Sequence, residues 1–154
     1  MMTEDIDKLM AVMATAFDPL YGEAWNRRQV EDALVFGHTY YSLISADGTP
    51  ATDIAPAVGF TLSRHGFGEE ELLLIGVAPE HRQHGLGRIL LNWLKQAANK
   101  RGAERLLLEM RRGNPAETLY ISAGFHPIGV RPNYYHFKTG EHADAITFAC
   151  DIQP

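Results

Sequence analysis

The stretch LLLIGVAPEHRQHGLGRILLNWLKQAANK, residues 72–100, constrains the fold more than any other part of the sequence. A strand is predicted over Glu71–Val77, and the strongest helix of the chain over Gly85–Lys100. Gly102 lies just beyond this helix, where glycine often ends one. The apolar stripe of the helix consists of Ile89, Leu90, Trp93, Leu94, Ala97 and Ala98. A buried strand that runs through a glycine-rich turn into an amphipathic helix predicts an α/β unit.

The rest of the chain supplies more helices and strands in an alternating order. Before the stretch, the pattern predicts helices over Asp5–Phe17 and Trp25–Phe36, with Val30, Leu34 and Val35 inward, and strands over Tyr40–Ser45 and Ala57–Arg64. After it come a strand over Arg105–Met110, a short helix over Pro115–Ala123, and strands over Phe125–Val130 and Ala145–Ile152. This order predicts one domain over residues 1–154, with a central mixed sheet flanked by about four helices.

Size and charge narrow the functional classes. The chain has 154 residues, and its net charge of -5 gives no electrostatic reason to expect direct nucleic-acid binding. A single cysteine, Cys150, excludes an internal disulfide and a cysteine-rich metal site. The N-terminus lacks the pattern of a signal peptide, and no apolar run is long enough for a membrane span. We therefore expect a cytoplasmic protein that contacts no membrane.

The turn before the main helix has the features of an anion site. A helix start offers free N–H groups and the positive end of the helix dipole, and Gly85 and Gly87 allow close approach of a phosphate. A P-loop requires Gly-Lys-Ser/Thr, but Gly87 is followed by Arg88-Ile89, and Leu90 replaces the third glycine of a dinucleotide fingerprint. A glycine-rich turn without a ligand is the alternative.

The motif V-x-P-x-x-R-x-x-G-x-G-x-x-L-L, which starts at Val77, resembles the acyl-CoA-binding motif of the GNAT superfamily of acetyltransferases. The resemblance implies the GNAT fold and acetyl-CoA as co-substrate. It also implies that backbone groups of Ile75, Gly76 and Val77 bind the pantetheine arm. Those of Gln83, His84, Gly85, Leu86, Gly87 and Arg88 would bind the pyrophosphate. Independently, a glycine inside a strand suggests a bulge or a close approach at Gly76, and a splayed strand there would open a cleft.

Two polar residues stand out downstream. Glu109 follows three leucines late in a predicted buried strand, where a carboxylate is costly unless it is solvated, paired or functional. It could simply reach water or one of its neighbours, Arg111 and Arg112. Tyr120 taken alone is most often a packed aromatic residue whose hydroxyl is satisfied.

The combined pattern L-x-L-E-x-R-x-x-N … L-Y-x-x-x-G-F resembles the RimI-type ribosomal-protein alanine N-acetyltransferases of the GNAT superfamily. The likeness covers roughly residues 16 to 152. It implies that Glu109 is the general base, that Tyr120 is the general acid, and that Asn114 contacts the coenzyme. It also implies that Arg131, Asn133, Tyr134 and Tyr135 line the side where a peptide enters, although the paired tyrosines could instead stack on the sheet in a hairpin.

The resemblance implies acetyl transfer to a protein N-terminal amine, in particular the N-terminal alanine of a small-subunit ribosomal protein. An ammonium cannot attack a thioester, so a base must first remove a proton. At pH 7 this costs about 1.4 kcal/mol for an α-amine but about 4.6 for lysine, which favours the former. Acetylation of a lysine or a small amine, and a non-catalytic acyl-CoA-binding module, are the alternatives.

The sequence departs from the family pattern at three places. The spacing from Asn114 to Tyr120 is one residue short, the first strand is short or missing, and Leu74 stands where well-known members carry a polar residue. The seven histidines form no metal motif, and no G-x-S-x-G elbow is present, so we expect neither a metal site nor a serine hydrolase.

Overall fold

The computed structural model describes residues 2–152, which form one six-stranded sheet with a helical layer on each face. The helices are α1 (Met2–Ala16), α2 (Arg27–Val35), α3 (Leu86–Lys100) and α4 (Glu117–Ser122). The strands are β1 (Thr39–Ser45), β2 (Ala57–Gly66), β3 (Glu69–Val77), β4 (Arg105–Arg111), β5 (His126–His136) and β6 (His142–Asp151). Short 3-10 turns at Pro19–Tyr21 and Pro79–His81 precede α2 and α3. No helix within residues 2–152 has both the length and the apolar character required to span a membrane.

The strand order is β1-β2-β3-β4-β6-β5, and every neighbouring pair is antiparallel except β3 and β4. Two parallel neighbours require a crossover, and α3 provides it. The predicted mixed sheet and the predicted order of elements are therefore confirmed. Among the residues described, the first element is α1.

Each face of the sheet has its own apolar cluster. Leu9, Met13 and Val30 of α1 and α2 pack with Phe60 on one face, while Leu91 and Leu94 of α3 pack on the other with residues of β4, β6 and α4. Leu90 joins a third cluster with Ile44 on the α3 side. Helix α2 starts later than predicted because Asn26 caps it, and Val35, predicted inward, is exposed. Val30 and Leu34, four residues apart, share the face that packs on the sheet, and Val35 follows on a different face of the helix.

A β-bulge in β3 sets the two faces of this strand. Leu62 of β2 pairs with Leu74 and Ser63 pairs with Leu72, so Leu73 is the extra residue. The bulge reverses the alternation of side chains, and Leu72 therefore packs on the α3 side whereas Leu74 packs on the α1 side. The sequence predicted a bulge or a close approach at Gly76, and the bulge lies three residues earlier, at Leu73. Gly76 is instead a close approach, because a Cβ there would lie 2.9 Å from a ring carbon of Phe60.

Strand β5 continues to His136, six residues beyond its predicted end at Val130. The turn-like sequence Arg131-Pro132-Asn133 is a bulge within the strand, where Asn133 has a φ of 53°. The Asp144 carboxylate accepts a 2.9 Å hydrogen bond from the N–H of Asn133 and holds the bulge in place. Pro132 is tolerated because β5 is an edge strand. The same pairing starts β6 at His142 instead of Ala145.

A buried ionic cluster joins β2, β3 and α3 at the end of the sheet where β3 begins. The Glu70 side chain is 0% exposed, and its carboxylate accepts hydrogen bonds from Ser63 Oγ at 2.8 Å and from the guanidinium of Arg101. Burial raises the pKa of Glu70, but the hydrogen bonds from Arg101 and Ser63 outweigh it, so the pKa is lowered overall. This carboxylate is satisfied by its partners and is structural.

We predict that Arg101→Ala lowers the free energy of unfolding by about 3 to 5 kcal/mol, because it leaves the buried Glu70 charge without its partner. Urea denaturation monitored by circular dichroism measures the change. Arg105→Ala is the matched control, since Arg105 pairs with the half-exposed Glu69 and should cost no more than about 1 kcal/mol. Equal losses for the two variants would contradict the assignment of the Glu70 cluster as the main ionic support of the fold.

Candidate active site

A cleft opens where β3 and β4 separate. The two strands pair only from Glu69–Leu72 to Arg105–Leu108, and beyond these residues the strands splay apart. The resulting cleft has a volume of about 760 Å³ and lies between residues 72–77 of β3 and residues 108–111 of β4. The end of α1, the loop before α3, and α4 close it. The splayed strand predicted from the sequence is therefore present.

The β3 wall of the cleft presents backbone groups that have no strand partner. The N–H of Ala78 donates to the carbonyl of Val58, so this residue is turned toward β2. Because N–H groups alternate between the two sides of a strand, those of Ile75 and Val77 point toward the cleft. An extended ligand lying along this edge would find two backbone donors there.

The start of α3 forms the second wall. Gly85 is the N-cap with a φ of 80°, and Gln83 has a φ of 64°, so the chain turns sharply into the helix. Within residues 2–152, no acceptor is hydrogen-bonded to the N–H groups of residues 83–88. These donors and the positive end of a 15-residue helix dipole suit a diphosphate. Five of the six residues predicted to bind the pyrophosphate line the cleft: Gln83, Gly85, Leu86, Gly87 and Arg88. The sixth, His84, is exposed and does not line it.

Two residues of the glycine-rich motif have structural tasks. Arg82 donates from Nε to the Val77 carbonyl at 3.1 Å and from Nη2 to the Ala16 carbonyl at 2.5 Å, which ties the loop to β3 and α1. A Cβ on Gly87 would lie 3.0 Å from Leu119 Cδ2, so this glycine also allows α4 to pack against α3. Arg88, by contrast, is exposed beside the open N–H groups.

Glu109 lies on the β4 wall, and its side chain is 23% exposed. The sequence offered Arg111 or Arg112 as a partner for Glu109. The ionic partner is instead Arg131 of β5, whose Nε is 3.4 Å from Glu109 Oε2. The Arg131 guanidinium in turn lies 5.2 Å from the ring centroid of Tyr134.

The charge of Glu109 also affects the pKa of Tyr135. Burial and then Glu109 raise the pKa of Tyr135 to about 12. Arg131 and Tyr135 therefore lie near Glu109 and Tyr134 near Arg131, the Asn133 backbone is held in the bulge, and none of these four residues lines the cleft itself.

Tyr120 of α4 lines the cleft and is almost fully buried. Burial, and to a lesser degree the negative charge of Glu23, raise the pKa of its phenol well above the usual value. The ring packs edge-on against Phe125 with centroids 5.9 Å apart, which fixes its orientation. Asn114 also lines the cleft, and its Oδ1 accepts a 2.9 Å hydrogen bond from the N–H of Ala116 just before α4.

The sequence did not identify three further cleft residues, Tyr21, Glu23 and Arg111. Arg111 Nε is 4.0 Å from Glu23 Oε1, and the Arg111 guanidinium lies 3.5 Å from the centroid of the Tyr21 ring. Tyr21 and Glu23 belong to an irregular connection between α1 and α2, so no periodicity marks them. Nothing in the sequence alone pairs this connection with the end of β4.

Comparison with known proteins agrees with this geometry. Residues 7–125 match the model of the Acetyltransferase (GNAT) family. The chain is similar to the [ribosomal protein bS18]-alanine N-acetyltransferase of Escherichia coli K12, with 39% identity over 94 residues. That alignment covers 60% of this chain and 63% of the relative, so the chain spans less than two thirds of the relative's length.

Two solved structures extend the comparison. The crystal structure of the ribosomal-protein-S18-alanine N-acetyltransferase from Escherichia coli superposes with a TM-score of 0.79 and 29% identity, and the match covers 99% of this chain and 90% of that one. A structure of aminoglycoside 6'-N-acetyltransferase complexed with coenzyme A has a TM-score of 0.74 at 19% identity, covering 97% and 91% of the two chains, and shows the shared fold. The predicted GNAT fold and the resemblance to the RimI-type enzymes are confirmed.

We predict that Arg82→Met lowers the free energy of unfolding by about 1 to 3 kcal/mol, because two backbone carbonyls lose a charged donor. Arg88→Met, six residues along at an exposed position, should change it by less than about 0.5 kcal/mol. Urea denaturation of both variants gives the comparison. If Arg88→Met lost as much stability as Arg82→Met, or more, the structural role given to Arg82 would be contradicted.

Proposed function

The chain belongs to the GNAT family of acetyltransferases, and on that basis we propose that it transfers the acetyl group of acetyl-CoA to the N-terminal α-amine of a protein. The acceptor is the N-terminal alanine of a small-subunit ribosomal protein, a proposal supported by the names of its relatives and by 29% identity to an S18-alanine N-acetyltransferase across 99% of the chain. Contact is with the protein alone, not with nucleic acid or membrane, and the reaction takes place in the cytoplasm.

One observation carries the proposal: a single cleft contains unpaired backbone donors on two walls and both Glu109 and Tyr120. The open N–H groups at the start of α3 fit a pyrophosphate, and those of Ile75 and Val77 fit the amide groups of a pantetheine arm. Asn114 and Arg88 lie beside them. Acetyl-CoA supplies an activated thioester when it is bound, and the residues of the chain have to position it and handle protons.

Glu109 and Tyr120 would divide the proton transfers. Glu109 takes the proton of the acceptor ammonium, directly or through a water molecule, so that the neutral nitrogen can attack the carbonyl carbon. A backbone N–H of β3 that the pantetheine arm leaves free would stabilise the negative charge that develops on the carbonyl oxygen. As the C–S bond breaks, Tyr120 donates its proton to the thiolate, and the phenolate then takes the remaining extra proton from the nitrogen of the adduct, which leaves a neutral amide. Burial keeps the Tyr120 phenol protonated at neutral pH.

An α-amine suits this arrangement better than a lysine. The α-amine has a pKa of about 8, so a single carboxylate has to overcome about 1.4 kcal/mol at pH 7, compared with about 4.6 kcal/mol for lysine. Arg131, Tyr134 and Tyr135 lie near Glu109 or its partner, and together with Asn133 they would contact the following residues of the peptide.

We predict that Glu109→Gln lowers kcat by about 10²-fold or more, because the amine then lacks its proton acceptor. The affinity for acetyl-CoA, measured by isothermal titration calorimetry, should stay unchanged, because the backbone donors remain. Release of coenzyme-A thiol with a basic peptide that starts with alanine measures turnover. Near-wild-type turnover of the variant would remove Glu109 from the mechanism.

The same assay separates the classes of acceptor. Turnover with the alanine-starting peptide supports the proposed function. Turnover only with small amines or with an internal lysine, or tight acetyl-CoA binding without turnover on any amine, would refute it.

For Tyr120, the raised pKa predicts how the rate depends on pH. A group whose pKa is raised keeps its proton to higher pH, so loss of the acid should begin only above about pH 10, where free tyrosine ionises. Tyr120→Phe should lower kcat by about 10²-fold, while the control Tyr40→Phe, on the half-exposed edge of β1, should not. A fall in the wild-type rate centred below pH 10 that disappears in Tyr120→Phe would contradict this role.

A further inference from the structure

Glu23 is a cleft carboxylate to which the acetyl-transfer steps above assign no role. It follows Gly22 in the connection between α1 and α2, and its side chain is 27% exposed. Its ionic contact is with Arg111 Nε at 4.0 Å, a distance too long for a hydrogen bond. Among residues 2–152, no donor is hydrogen-bonded to the Glu23 carboxylate, so both of its oxygens can accept hydrogen bonds from a ligand.

Arg111 is a fixed neighbour that does not satisfy Glu23. The Arg111 side chain is 11% exposed, and its Nε has no hydrogen-bond partner in the described part of the chain. The guanidinium stacks on the Tyr21 ring, and Tyr21 packs edge-on against Phe137 with centroids 5.5 Å apart. These contacts connect the α1–α2 connection to β4 and to the β5–β6 loop, so Glu23 is held at a defined place in the cleft.

The electrostatic influence of Glu23 reaches the residues proposed for catalysis. Its charge raises the pKa of Tyr120, and together with Glu109 it raises the pKa of Tyr135. Burial, partly offset by Arg111 and reinforced by Asp18, raises the pKa of Glu23 itself. Two carboxylates therefore line the same cleft, Glu23 beside Arg111 at 4.0 Å and Glu109 beside Arg131 at 3.4 Å.

We propose that Glu23 binds the ammonium group of the acceptor peptide and positions it for attack, while Glu109 receives its proton. This inference rests on the proposed transfer to an α-amine. An α-ammonium carries three N–H donors and a positive charge, which the free carboxylate oxygens of Glu23 can accept. The acetylated product has a neutral amide at the same position, so its attraction to Glu23 is much weaker. The residue would select free N-termini and let the product leave.

The test compares three peptides of one alanine-starting sequence: with a free amine, with an acetylated amine, and with the amine replaced by hydrogen. Glu23→Gln keeps the size of the side chain and removes its charge. We expect it to raise the KM of the free-amine peptide by about 10-fold or more and to change kcat much less. In calorimetry it should weaken binding of the free-amine peptide only. Affinity for acetyl-CoA should not change.

Glu104→Gln is the matched control, because it removes one exposed negative charge at the far end of β4. A fall in kcat without a rise in KM, or equal weakening of all three peptides, would overturn the proposal and leave Glu23 as a structural partner of Arg111. A measurement on the wild-type protein tests the proposal even if the variant misfolds. Its affinity should be about 10-fold higher for the free-amine peptide than for the deaminated one, and equal affinities would overturn the proposal.

Failure of the underlying function has a different signature. If the wild-type protein released no coenzyme-A thiol with any amine, acetyl transfer itself would be wrong. If turnover were normal and Glu23→Gln behaved like Glu104→Gln, only the role of Glu23 would be wrong.

Discussion

The short pairing between β3 and β4 is the constraint from which the site follows. Four residue pairs join these strands at their start, and the bulge at Leu73 then turns Leu74 toward α1 and Ile75 toward the α3 side. Had pairing continued, the N–H groups of Ile75 and Val77 would have bonded to β4 and no cleft would exist. The same feature that opens the sheet therefore leaves backbone donors that a ligand with carbonyl or phosphate oxygens can satisfy.

The net charge of the whole chain does not identify the ligand of the cleft. A net charge of -5 argues against a nucleic-acid backbone, yet the start of α3 is a local positive site because six consecutive N–H groups lack acceptors within the described residues. Glu23 and Glu109 also line this cleft, each beside an arginine. One cleft therefore contains both open N–H donors and carboxylates, so the proposed diphosphate and amine would contact different groups.

The sequence predicts what depends on local pattern, and less of what depends on distant contacts. The strand, turn and helix of residues 71–100 were placed within two residues because apolar spacing and glycine positions are local signals. The bulge at Leu73 has no such signal, since four apolar residues in a row hide the change of face. Arg131-Pro132-Asn133 looked like a turn, but pairing with β6 and the hydrogen bond to Asp144 keep it in a strand. Glu23 was missed because only the folded chain brings it to Arg111.

Glu70 and Glu109 show why the environment, not the residue type, assigns a role. Both are glutamates in strands of the central sheet, but Glu70 stands between Glu69 and Glu71, whereas Glu109 follows three leucines. Glu70 is fully enclosed and receives hydrogen bonds from Ser63 and Arg101, so it has no remaining capacity and its pKa is lowered. Glu109 has one exposed arginine as its partner and opens onto a cleft. A carboxylate with every oxygen occupied holds the fold together, whereas one with free oxygens beside a cavity can exchange a proton with whatever enters. By this criterion Glu23, which like Glu109 has an arginine partner but no hydrogen-bond donor within residues 2–152, is also available to a ligand.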